Sequence, residues 1–125
     1  MFAHAHEGLP NEACGILAGE QGRAMKFYPA TNSEHSPTRY VVDPKDQLRI
    51  LNELHDRAWD LLGIFHSHTH TQAYPSSTDV SLAANWPEAY YLIASLQNEP
   101  PVLRAFRISD GHVAEEEITY TEEKT

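Results

Sequence analysis

Hydrophobic positions in this chain recur mainly at every second residue, the period of a half-buried strand, and keep a helical period through one long stretch. Ala13 to Gly19 and Ala24 to Ala30 read as paired strands joined by a tight Gln21-Gly22 turn. Met25, Phe27 and Pro29 are expected on one face of the second strand, with Lys26 and Tyr28 on the other. Polar Thr31 to Thr38 reads as a loop, and Tyr40-Val41-Val42 begins a short strand. Asp43-Pro44 then starts a helix, because Asp accepts from the free amides of a first turn and Pro has no amide to lose there. Its apolar stripe is read as Leu48, Leu51, Leu54 and Ala58.

A strand from Trp59 to His66 follows, carrying Leu61, Leu62, Ile64 and Phe65. Asp79 to Asn85 reads as a short helix capped by Ser77 or Thr78 and stopped before Pro87. Tyr90 to Leu96 is a strongly apolar strand, and Leu103 to Ile108 and Val113 to Tyr120 flank the hairpin signal Ser109-Asp110-Gly111. Phe2 to Glu7 reads as the end of a helix closed by Gly8 and Pro10. The sum is an α/β chain, a mixed curved sheet flanked by helices, and 125 residues suit a single domain.

Charge narrows the partners. The net charge is -9, and Glu115, Glu116, Glu117, Glu122 and Glu123 form an acidic C-terminal tail. Such a surface repels phosphate backbones, so nucleic acid is not an expected partner, and the tail itself reads first as a solvated face. No apolar run reaches membrane-spanning length and no signal peptide is visible, so a cytoplasmic location without membrane attachment is expected. Cys14 is the only cysteine, which excludes an internal disulfide and any cysteine-rich zinc finger. Within Ala13-Cys14-Gly15-Ile16-Leu17 it reads as a small buried apolar residue.

The candidate chemistry lies in Gly63-Ile64-Phe65-His66-Ser67-His68-Thr69-His70 and the Pro/Ser-rich turn after it. His66 and His68 are two apart on a strand and share a face. Asp79, just before an apolar segment, stands near a helix start that can fold back over the strand end. Two histidines and an aspartate suit zinc, and three protein ligands plus a water are the arrangement of a catalytic site. Spacing alone is weak evidence, since His4-Ala5-His6 repeats the pattern among eight histidines. His55, near the helix stripe, reads as a packing or boundary residue.

The neighbours sharpen this. His66-x-His68, then Asp79 with Ser76 three residues before it, and an upstream Glu12-Ala13-Cys14-Gly15 together resemble the JAMM/MPN+ family of zinc peptidases and isopeptidases, from about Leu9 to Ile118. The resemblance implies a cytidine-deaminase-like sandwich, with zinc on His66, His68 and Asp79. It also implies Glu12 as proton shuttle and Ser76 as donor to the oxyanion. Relatives usually carry a strand and a full helix before the glutamate, so the amino terminus reads as trimmed. Thr69-His70 stands where many members have Pro, and with Tyr74-Pro75 it looks like the small stand-alone bacterial members. Those hydrolyse adducts at the Gly-Gly end of ubiquitin-like sulfur carriers, including release of cysteine from a carrier-cysteine adduct. His70 and Tyr74 are then candidates for substrate contact, and the carrier's tail is expected to lie extended along a sheet edge near the site. The competing readings are a non-catalytic MPN-type scaffold and a zinc hydrolase of small molecules. The motif residues are all present, which disfavours the first, and the paired cysteine ligands of a deaminase are absent.

Overall fold

The computed structural model describes residues 1–83, 86, 88–97 and 100–118. Helix α1 (Phe2–Gly8) leads into strands β1 (Cys14–Glu20) and β2 (Arg23–Ala30). Helix α2 (Pro44–Arg57), strand β3 (Asp60–His68), helix α3 (Ser77–Leu82) and strands β4 (Tyr90–Ser95), β5 (Val102–Ser109) and β6 (His112–Glu116) follow. The strands form one sheet in the order β2-β1-β3-β4-β5-β6. Every pairing is antiparallel except β3 with β4. Parallel neighbours need a crossover, and here the crossover contains α3, so the chain leaves the end of β3 and must pass over it before entering β4. That geometry brings α3 back onto the end of β3.

Both hairpin turns have the conformation their sequences predict. Gln21 and Gly22 have φ of 52° and 77°, Asp110 and Gly111 have 50° and 78°, and these positive pairs match the right-handed twist of the flanking strands. On one face of the sheet the core joins Ile16, Tyr28, Ile64, Tyr91, Ile93, Phe106 and Ile108 to Ile50 and Leu54 of α2. Burying each of the two helix residues stabilises the fold by roughly 1.5–3 kcal/mol. Asp43 caps α2 as predicted, accepting from the amides of Lys45 and Asp46. On the other face Ala5 of α1 packs on Phe65 and Ala94, beside a second group of Leu17, Leu92 and Ala105.

The stripe of α2 differs from the one read along the chain. Ile50 and Leu54, one turn apart, meet the sheet, whereas Leu48 is 63% exposed and Ala58 is the exposed left-handed cap. Leu48 lies two residues from Ile50, about 200° around the helix, so the two cannot share a buried face. In β2 the buried residues are Tyr28 and Ala30, while Met25 is 48% exposed. Ile16 pairs with Tyr28, which turns Tyr28 toward α2, where Lys26 lies over its ring and reaches Glu53 at 3.5 Å. Phe27 takes the opposite face and meets Phe65 edge-on at 5.4 Å. Tyr40-Val41-Val42 forms no strand and contributes one isolated bridge, Asn32 with Val42. Strand β6 ends at Glu116, and the predicted residues 119 and 120 of that strand lie outside the described residues.

Gly15 is where backbone approach leaves no room for a side chain. A Cβ there would stand 2.6 Å from the Phe27 ring and 2.7 Å from the Tyr28 carbonyl oxygen. Gly15→Ala is therefore expected to destabilise the protein by about 1–3 kcal/mol, the scale of overpacking. Urea denaturation measures it, and an unchanged midpoint would contradict the close approach.

Candidate metal centre

His66 and His68 occupy the last turns of the pleat of β3, both buried, with their rings on the α2 side of the sheet. Their Nε2 atoms are 3.1 Å apart, and Asp79 Oδ2 is 3.1 Å from the first and 3.0 Å from the second. Asp79 reaches this point because α3 begins earlier than the sequence suggested. Its cap is Ser76, in place of Ser77 or Thr78, and Asp79 is the third helical residue. Ser76 Oγ accepts from the Asp79 amide at 3.1 Å, and Asp79 Oδ2 accepts from the Ser76 amide at 2.9 Å, a reciprocal box that fixes the carboxylate. The predicted helical residues 84 and 85 lie outside the described residues.

Three electron-rich atoms thus converge. His68 Nδ1 donates to the Gln72 carbonyl at 2.9 Å, which leaves a lone pair on its Nε2 facing a carboxylate oxygen. No set of ring protons satisfies every edge of that triangle, whereas a cation would. Glu12 completes the cluster: its carboxylate and the two rings offer ligand atoms within 4.8 Å of one another, so Glu12, His66 and His68 are themselves a possible metal-holding group. Asp79 is nearer both rings than that limit, and Glu12 Oε1 is buried without a hydrogen-bond partner among the described residues.

Electrostatics separate the two carboxylates. Burial pushes Glu12 up to about 7, tempered by His68 and reinforced by Asp79. Burial also raises Asp79, but hydrogen bonds from His66 and His68 hold it far below the usual carboxylate range. Burial lowers His66. It opposes protonation of His68 as well, yet the bonds to Asp79 and to the Gln72 carbonyl leave that ring raised. Burial takes Cys14 to about 12, the behaviour of an inert packed thiol.

The other candidates stand apart from this point. His70 follows the end of β3, so its predicted alternation with the two ligands does not continue; it is exposed and bonds Thr69 Oγ1 at 2.8 Å. Tyr74 is 43% exposed, its ring edge-on to Phe106. His55 is an exposed residue of α2. The edge strands are β2 and β6, whereas the cluster stands at the end of β3 in the middle of the sheet, so the expected sheet edge is not beside it.

Several supporting residues carried no signal in the sequence. Ser67, fully buried, accepts from the Ala13 amide at 2.8 Å and ties the Glu12 segment to β3. Tyr40 stacks on His66 with centroids 4.3 Å apart and planes at 16°. Asn32, in a polar loop, donates to the Glu12 carbonyl at 3.0 Å.

A model of the prokaryotic homologues of the JAB domain matches residues 1–109. The chain belongs to this family. It is 44% identical over 126 residues to the CysO-cysteine peptidase of Mycobacterium tuberculosis, covering 98% of this chain and 86% of that protein. The desampylase of Haloferax volcanii is 34% identical over 102 residues, 76% of this chain and 73% of the relative. The solution structure of a protein from Desulfitobacterium hafniense superimposes with a TM-score of 0.88 at 42% identity, over 98% of this chain and 87% of that one. As a JAB-family protein the chain places Glu12 at the mouth of β1 and the two histidines at the adjoining end of β3, where Cys14 pairs with His66.

In the metal-free protein the Glu12 carboxyl is expected to titrate near 7 and Asp79 to stay ionised through the accessible acid range. Carboxyl carbon shifts followed against pH by NMR would show this. A Glu12 midpoint between 4 and 5, the ordinary range, would remove the case for its desolvation.

Proposed function

We infer that the protein is a zinc-dependent peptidase that hydrolyses the amide bond after the C-terminal Gly-Gly of a ubiquitin-like or sulfur-carrier protein. The observation that carries it is the triangle of His66 Nε2, His68 Nε2 and Asp79 Oδ2 with edges of 3.0–3.1 Å, beside a Glu12 Oε1 that has no hydrogen-bond partner among the described residues. Zinc bonds of about 2.0–2.1 Å in a tetrahedron place neighbouring ligand atoms about 3.3 Å apart, so these donors need almost no movement to hold that ion. His66, His68 and Asp79 are then the ligands. Zinc held there would polarise the scissile carbonyl and acidify a bound water.

Glu12 does the proton work in this reading. A carboxyl near 7 is poised both to accept a proton at Oε1 and to return it to the leaving amine at neutral pH. Ser76 Oγ is already an acceptor from the Asp79 amide, so its hydroxyl proton is free to donate to the oxygen on which charge develops. Capping and catalysis use different sides of one hydroxyl. The relatives' names, a CysO-cysteine peptidase and a desampylase, support a protein carrier adduct as the substrate. The exposed His70 and Tyr74, beyond the end of β3, are proposed to meet the carrier or its released group. A net charge of -9 favours a neutral or basic carrier surface. No helix among the described residues is long and apolar enough to cross a membrane, and the cytoplasm is the proposed site of action.

Each residue has its own expected signature. His68→Ala and Asp79→Asn should lower zinc occupancy, measured by metal analysis. Glu12→Gln should retain zinc and carrier binding while single-turnover cleavage of a carrier adduct falls roughly a hundredfold or more. Ser76→Ala should keep zinc, lose on the order of 3 kcal/mol of transition-state stabilisation and cost about 1 kcal/mol of stability through the lost cap. Wild-type cleavage by Glu12→Gln, or full zinc occupancy in both ligand variants, would overturn the assignment.

A further inference from the structure

Asn32 makes every hydrogen bond a primary amide side chain can make. Its Nδ2 donates to the carbonyls of Glu12 at 3.0 Å and Arg39 at 2.8 Å. Its Oδ1 accepts from the amides of Glu34 at 3.0 Å and Val41 at 3.1 Å. The side chain is buried, and both groups it holds on the later part of the loop flank Tyr40, whose ring stacks on His66. The same loop meets Glu12 a second time, through the Glu12 amide and the Ser36 carbonyl at 2.8 Å. At its far side Thr69 Oγ1 donates to the Pro37 carbonyl at 3.1 Å. The segment from Thr31 to Val42 is thus a strap from the Glu12 main chain to the end of β3, closed at its base by one amide.

The geometry points to Asn32 as a positioning residue for the reaction. By bonding Glu12 on one side and both neighbours of Tyr40 on the other, it holds the Glu12 carboxylate in register with the His66 ring. This rests on Glu12 acting as the proton shuttle. Asn32 touches no reacting atom, and its effect on turnover passes through Glu12. A small displacement of a catalytic group is enough to lower turnover by one or two orders of magnitude. A buried amide suits this task because its four bonds have fixed directions, whereas an apolar residue of the same size would hold the strap by contact alone.

Asn32→Asp is the informative change. It keeps the shape and both acceptor bonds but sets a second oxygen against the Glu12 and Arg39 carbonyls. With saturating zinc, cleavage of a carrier adduct is expected to fall by about tenfold or more with the adduct's KM unchanged. In the Glu12→Gln background the same change should cost less than about twofold, since residues acting through one group are not additive. In the metal-free protein the His66 ring protons, shielded by Tyr40, should shift. Leu54→Ala, a core truncation on α2 outside the strap's hydrogen bonds, should lower Tm while leaving kcat unchanged. If Asn32→Asp does not fold, the smaller neutral Asn32→Ser enters the same cycle. Equal fold-losses in the wild-type and Glu12→Gln backgrounds, or a change in KM alone, overturn the positioning role. A Glu12→Gln variant with wild-type turnover would overturn the shuttle reading itself, which is a separate outcome.

Discussion

The structure depends on bringing three lone pairs to one buried point. Two imidazole nitrogens and a carboxylate oxygen within 3.0–3.1 Å of each other form an arrangement that protein atoms alone cannot satisfy. The cost of burying it falls on the surrounding fold. Main-chain pairing meets much of that cost. His66 and His68 sit on a central strand bonded on both sides, to β1 and β4, so neither can move without breaking the sheet. Asp79 is fixed by the first turn of α3, where its carboxylate and the Ser76 hydroxyl exchange bonds with each other's amides.

The parallel pairing of β3 and β4 explains why those parts meet. A chain leaving β3 must rise over the sheet before re-entering beside it, and the rising segment contains both the Gln72 carbonyl that orients His68 and the helix start that supplies Asp79. An antiparallel hairpin at this place would have carried the chain away from the strand end. Ser95 at the end of β4 donates to the Thr71 carbonyl, and the Leu96 amide donates to the His68 carbonyl, so the start of that segment is tied to the end of β4.

Glu12 and Asp79 show how burial divides roles between identical functional groups. Asp79 has two imidazole nitrogens and an amide around it and stays ionised; Glu12 has an oxygen without a hydrogen-bond partner among the described residues, and desolvation takes it to about 7. One is suited to hold a cation and the other to carry a proton. The strap from Thr31 to Val42 runs beside this centre, with Tyr40 stacked on His66 and Asn32 bonded to the Glu12 carbonyl.

The sequence by itself determined the six strands of the sheet, the two positive-φ turns, the cap of α2 and the residue types of the centre, but read one strand too many at Tyr40-Val41-Val42. Each of these is a local matter of period, turn chemistry or spacing. His66 and His68 were legible as a pair because strand alternation is local, and Asp79 because it precedes an apolar run. Only the tertiary structure decided which face of α2 meets the sheet, since Leu48 and Ile50 are equally apolar and the choice falls to the sheet's shape. It also decided that Tyr28 of β2 turns inward, that His70 leaves the alternation where pairing stops, and that Ser76 is the cap. Asn32, Tyr40 and Ser67 gave no sign in the chain, because a buried amide, a stacked ring and a buried hydroxyl take their roles from partners 20, 26 and 54 residues away, which no local pattern encodes. For Ser67 that partner is Ala13, 54 residues upstream, and for Asn32 it is Glu12, 20 residues upstream. Contacts of that range exist only once the sheet has set the strands side by side.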